Sequence, residues 1–209
     1  MTSTFLRPAI AMAIALFVAG CGGKASFPIT GTVFGLQYPG LVLSTNGMTV
    51  TVNPPATTFA FPNTLSYGEE YDVIVVPTSQ PQHQTCSIMA PQLDTTGRAY
   101  TSGKDTAGRV STINIGVSCA LNAYTIGGTI SGLTSDGLVL TNGSGGGTVA
   151  PLTGATTFTF AAAVSFGTTY GVAVLTQPAN DVCSVTQNGT GVMGDAAVAN
   201  IAVNCVPKT

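Results

Sequence analysis

After residue 20 the apolar positions of this chain fall mostly two residues apart, the period of a strand with one buried face. Ile29-Thr30-Gly31-Thr32-Val33 alternates in this way and leads through Pro39-Gly40 to Leu41-Val42-Leu43. Asn46-Gly47 signals a two-residue hairpin, and Met48–Val52 is its returning strand. Asn53-Pro54-Pro55 ends that strand, because proline has no amide hydrogen to give a ladder. Phe59 and Phe61 share a face, Tyr71, Val73 and Val75 form a second set, and Ile113, Ile115 and Val117 a third. No helical periodicity follows residue 20. About seven short strands in each ~80–95 residues predict an all-β sandwich fold.

The beginning of the chain is the exception. Met1–Arg7 carries one basic residue, and an apolar run covers Ala9–Val18. A bilayer span needs about 20 apolar residues, so this shorter run fits the core of a signal peptide over residues 1–20. Val18-Ala19-Gly20-Cys21 resembles a bacterial lipobox, with small residues ahead of a cysteine that becomes residue one. That resemblance implies a diacylglyceryl group on the Cys21 sulfur, a further acyl chain on its freed amine, and a lipidated tether over 21–26. Each buried CH₂ contributes about 0.8 kcal/mol, so two or three chains attach permanently where one does not. Gly22, in place of an aspartate, implies the outer membrane of a Gram-negative cell envelope. Apart from this covalent lipid no cofactor is expected.

The remaining chain reads as one unit written twice. "FPITGTVFGLQYPGLVLST" from Phe27 is answered by "YTIGGTISGLTSDGLVLTN" from Tyr124, and "LSYGEEYDVIVV" by "VSFGTTYGVAVL". The units run over 27–119 and 124–206, with 120–123 a linker too short for wide swing and 207–209 a tail. Cys86 matches Cys183, and Cys119 matches Cys205. With Cys21 set aside, four cysteines allow three pairings. Only Cys86–Cys119 with Cys183–Cys205 lets each copy fold by itself, and an oxidising compartment permits both bridges.

The spacing Phe-x-Phe, a short gap, then Leu-x-x-Gly-x-x-Tyr-x-Val-x-Val resembles the prealbumin-like, Ig-like Greek-key sandwiches, among them carboxypeptidase-regulatory-like domains and the B-type repeats of surface adhesins. Phe59, Phe61, Leu65, Gly68, Tyr71, Val73 and Val75 carry it, as do Phe158, Phe160, Val164, Gly167, Tyr170, Val172 and Val174. The whole unit is also similar to repeats of uncharacterised proteobacterial lipoproteins. The adhesin resemblance implies a Lys–Asn isopeptide, for which Asn114 and Asn200 are placed, but neither first strand holds a lysine.

Composition narrows function by exclusion. Only 7% of the 209 residues are charged and the net charge is −2, so no basic stripe exists to neutralise phosphates and nucleic acid is not an expected partner. His83 is the one imidazole and has no counterpart in the second unit, which leaves nucleophilic catalysis without a repeated base. No cluster of His, Cys or carboxylates has metal-site spacing. "GSGGG" at 143–147 lacks the Lys-Ser/Thr of a phosphate loop. Glu69 and Glu70 are adjacent on a strand and point apart, unlike a glycosidase pair. Most runs are also shorter than the ~9–11 residues of a transmembrane strand.

The units differ between their cysteines. Ser87–Val110 holds about eleven residues more than its counterpart, with Arg98, Lys104, Arg109, Asp94 and Asp105. It reads either as a solvated hairpin extension or as a contact loop. Tyr38 and Tyr100 are unmatched in the second unit, and complete the candidate interaction residues; Tyr71 and Tyr170 read as core. The expected protein is a lipid-anchored envelope component with a structural, spacer or adhesion role and no catalysis, meeting the membrane through its anchor and an unidentified protein or glycan. The alternative is a module that binds a glycan or small apolar ligand through the insert and loop tips.

Overall fold

The computed structural model describes residues 25–93, 95–143 and 145–209. Cys21, Lys24, Asp94 and the signal-peptide segment lie outside the described residues. Every described element is a strand, and no helix among the described residues is long and apolar enough to cross a membrane.

The first half contains β1 (Ser26–Phe34), β2 (Leu41–Thr45), β3 (Met48–Val52), β4 (Thr58–Ser66), β5 (Glu70–Asp72), β6 (Ile74–Val75), β7 (Gln84–Ile88), β8 (Gln92–Leu93), β9 (Ala99–Tyr100), β10 (Lys104–Thr106) and β11 (Ile113–Leu121). One sheet has the order β4-β1-β11-β7, and a second the order β3-β2-β6, with β5–β10 and the hairpin β8–β9 as two-stranded additions. The second half contains β12 (Ala123–Tyr124), β13 (Ile126–Ser131), β14 (Val139–Asn142), β15 (Thr148–Val149), β16 (Thr157–Thr159), β17 (Val164–Ser165), β18 (Thr169–Thr176), β19 (Asp181–Gln187), β20 (Thr190–Val192) and β21 (Val198–Pro207). Its sheets are β16-β13-β21-β19 and β15-β14-β18-β20, with β12 paired to β17.

Each half repeats the same path. Its opening strand runs parallel to its closing strand, β1 with β11 from Ile29↔Ile113 to Phe34↔Ser118, and β13 with β21. Alternation alone does not specify this pairing. Glycines permit it: a methyl group on Gly31 would overlap the Ile115 carbonyl and the Phe59 ring, and one on Gly128 the Ile201 carbonyl. The hairpin at Asn46-Gly47 has φ of 48° and 72°, the positive pair that a type I′ turn demands.

The period-two positions face inward as the pattern predicts. Ile29, Leu41, Leu43, Ile113, Ile115 and Val117 are wholly buried between the sheets of the first half, with Phe59, Phe61, Tyr71 and Val73 around them. A separate cluster in the second half gathers Ile126, Leu140, Phe158, Phe160, Met193 and Ile201. Tyr170 is only partly buried, packed at that cluster's margin. The expected linker is largely strand, since β11 continues to Leu121 and β12 starts at Ala123, leaving Asn122 between them.

Both bridges form within their halves. Cys86 pairs with Cys119 and Cys183 with Cys205, each pair directly opposite on antiparallel neighbours with Cα atoms 4.0 and 3.9 Å apart.

Candidate functional site

Three structures are built at the ends and edges of these sheets: an edge clamp, a turn holder and a joint between the halves. The clamp follows from the disulfides. Directly opposite residues in antiparallel strands alternate between wide and narrow pairs, and the narrow ones turn their N–H and C=O away from each other. The close Cys86–Cys119 pair therefore aims the Cys86 backbone at the open edge of β7. Gln80 meets it there: its Oε1 accepts from Cys86 N at 2.8 Å and its Nε2 donates to Cys86 O at 3.2 Å. Gln177 does the same for Cys183, at 2.7 and 2.9 Å. One amide side chain thus replaces one residue of a neighbouring strand in each half.

The turn holder sits at the start of β7 and of β19. Gln84 is 1% exposed; its Oε1 accepts from Gln37 N at 2.8 Å and Tyr38 N at 3.0 Å, and its Nε2 donates to Gly35 O. In the second half a carboxylate replaces the amide. Asp181 accepts from the Thr134 hydroxyl at 2.7 Å, the Ser135 hydroxyl at 2.7 Å and both backbone N–H groups at 2.9 Å. These bonds, the Thr134 hydroxyl first and then Ser135, hold its carboxyl below the usual carboxylate range despite the opposing effect of burial. Both residues stand two positions before a cysteine, a spacing that could have flagged them.

The joint brings four loops together. His83, at φ 62°, stacks on Phe166 with ring centroids 3.8 Å apart and planes 5° from parallel. Tyr38 stands beside the stack, roughly perpendicular to both rings, with centroids 4.9 Å from His83 and 6.0 Å from Phe166. His83 Nδ1 lies 2.6 Å from an Asp195 carboxylate oxygen. Asn122 threads the halves at the backbone: its N–H donates to His83 O, its C=O accepts from Phe166 N, and its side chain takes a bond from the Thr85 hydroxyl. An imidazole with a carboxylate on Nδ1 resembles two members of a catalytic triad. Here, however, one ring face lies under Phe166 and Tyr38 borders it, so the arrangement fastens the halves.

The described charged residues among those singled out in the insert are engaged nearby. Lys104 Nζ is 3.1 Å from Asp72, and Arg109 Nη1 is 3.1 Å from Asp105. Arg98 donates to Asn114 Oδ1 at 3.0 Å, and Asn114 Nδ2 donates to Ala99 O at 2.9 Å, so the buried Asn114 fastens the β8–β9 hairpin to β11. A groove of about 480 Å³ lies there, lined by Arg98, Ala99, Thr101 and residues 110–112 with Asn114.

Tyr100 corrects an expectation. It is 5% exposed, with Phe34 against its ring at 5.8 Å, and is no surface platform. The insert is also shorter than 87–110. Val73 N bonds Gly103 O as Val172 N bonds Gly189 O, and Gly68 N bonds Ala107 O as Gly167 N bonds Met193 O. Lys104 and Arg109 therefore belong to a segment that both halves possess, and the added residues form the β8–β9 hairpin.

Among the described residues no group of three or more His, Cys, Asp or Glu side chains gathers to hold a metal. The edge where β18 meets the 142–146 turn carries a shallow groove of about 620 Å³ lined by Asn142, Ser165, Thr168, Thr169, Tyr170 and glycines.

No family model matches the chain, and no curated protein does. Solved structures similar to it include the shaft pilin spaA of Lactobacillus rhamnosus GG, at 11% identity and TM-score 0.28 over 88% of this chain and 99% of that one. The major pilin protein T-13 of Streptococcus pyogenes serotype GAS131465 aligns at 10% identity and TM-score 0.28, over 89% and 98% of the two chains. The major pilin protein T3.2 of serotype GAS13637 aligns at 9% and 0.27, over 88% and 98%.

Proposed function

We propose that this chain is a lipid-anchored envelope protein whose two tandem sandwich repeats act as a stiff spacer or adhesion stalk, without catalysis. The joint is the observation that carries the reading. An aromatic stack, a histidine–carboxylate contact and two backbone hydrogen bonds converge where only a short linker was expected. Such a convergence restricts the angle between repeats, which is useful to a part that transmits position and unnecessary in one that only tethers. The doubled bridges and doubled glutamine clamps support the same reading, because each stabilises a module whose core is small.

The anchor is Cys21 in this proposal, attached to the outer membrane of a Gram-negative cell, with an unidentified protein or glycan as distal partner. The glycan-binding alternative loses one of its two tyrosines to burial at Tyr100, and the other, Tyr38, is occupied by the joint. Metabolic labelling with palmitate tests the anchor. Wild type is expected to incorporate label and Cys21→Ser to lose it; equal labelling of the two refutes the proposal.

A further inference from the structure

Tyr67 is 75% exposed, although it occupies the position that Phe166 holds in the second half, where His83 and Tyr38 cover the ring. Each half thus carries an aromatic residue on the turn before its β5 or β18 segment. In the second half that ring seats the module on what precedes it. We propose that Tyr67, backed by Phe27, seats the first half in the same way on the phospholipid surface, as an aromatic foot inserted at the headgroup level. This inference rests on the Cys21 anchor proposed above.

The chain's own length supports this placement. Ser26 pairs with Ser66, the residue before Tyr67, and Phe27 pairs with Leu65. Four residues separate Cys21 from Ser26, so an acylated Cys21 lies within about 18 Å of that strand end even when the tether is fully extended. The Phe27 and Tyr67 rings stand 6.4 Å apart, tilted by 49°. Behind Tyr67 is Gly108, where any side chain would overlap the ring, so the tyrosine rests on backbone and presents its other side outward.

The chemistry favours the interface over a charged partner. A tyrosine ring with one apolar body and one hydroxyl partitions to the headgroup boundary. Glu69, though exposed, accepts bonds from Ser66 N and Asn46 Nδ2, and Arg109 is paired with Asp105. Among the described residues the foot has no basic patch to seek anionic lipid, and its contact is expected to hold on zwitterionic vesicles.

The chain contains no tryptophan, so a single introduced one reports its own surroundings. Full-length acylated Tyr67→Trp and Leu152→Trp proteins would be placed on phosphatidylcholine vesicles brominated near the headgroup end of the acyl chain. Leu152 is 77% exposed in the loop between β15 and β16, beyond the joint. Flotation is read first, then emission. The expected result is flotation of both, with blue-shifted and strongly quenched emission from Tyr67→Trp alone. Flotation with unquenched Tyr67→Trp overturns the foot while leaving the anchor standing. Quenching of both tryptophans overturns it too, because the protein would then lie flat. Failure to float overturns the anchor and the foot together.

Discussion

Opening the Cys86–Cys119 bridge should unfold the first half under conditions in which the second survives. The bridge closes a separation of 33 residues and its partner one of 22. In the loop-closure model these lengths correspond to about 3.7 and about 3.4 kcal/mol of stability. Against a usual domain stability of about 5–15 kcal/mol, either loss is large. A domain of this size has a urea m-value of roughly 1–1.5 kcal/mol/M, so each midpoint should fall by roughly 2–4 M. The cysteines are 3–7% exposed, so reductant reaches them only through opening of the fold. Pulsed hydrogen exchange read by mass spectrometry separates peptides of the two halves, and Cys86→Ala/Cys119→Ala compared with Cys183→Ala/Cys205→Ala assigns each transition. Unchanged midpoints, or simultaneous loss of both halves when one bridge is removed, would refute the argument from loop length and separate cores.

Acid should discriminate between the halves as well. Asp181 has its folded-state pKa depressed by four hydrogen bonds; the stability it contributes is complete above its unfolded value of about 3.9 and disappears as pH falls through the lower folded value. Half-resolved exchange across that window should show the second half weakening, and Asp181→Asn should flatten its profile while the first half, held by Gln84, is unaffected by the substitution. Gly128→Ala drives a methyl group into the Ile201 carbonyl, with a destabilisation of about 2–3 kcal/mol expected in thermal melts. Gln177→Ala strips the edge of β19 of its amide, for a loss of about 1–2 kcal/mol in urea unfolding. Sedimentation should also show concentration-dependent association through the uncovered edge. Phe166→Ala removes a stacked pair of about 0.5–1.5 kcal/mol, and small-angle scattering should then report a broader range of angles between halves at unchanged secondary structure.

Much of the fold was legible in the sequence because its signals are local. A period-two pattern needs only neighbouring residues, and Ile113, Ile115 and Val117 are buried as their spacing requires. The cysteine pairs were readable because two copies of one text constrain each other. Contacts assembled from distant loops were not readable. Tyr38 and His83 each stood out, yet nothing in a linear pattern brings them to Phe166 and Asp195. Side chains that imitate backbone escaped for another reason: Gln80 and Gln177 lie in polar turns, where an amide looks like solvent-facing filler. Tyr100 misled because a tyrosine in a polar insert resembles a surface residue, whereas the hairpin folds back against β11 and buries it.

The side-by-side, same-direction course of β1 and β11 has an evolutionary corollary. A module entered at one pole and left at the other can be duplicated in the gene without rethreading, and each added copy extends the reach by its full height, about 30 Å for a nine-residue strand. Length in such an architecture comes in whole copies, and duplication can adjust it by counting.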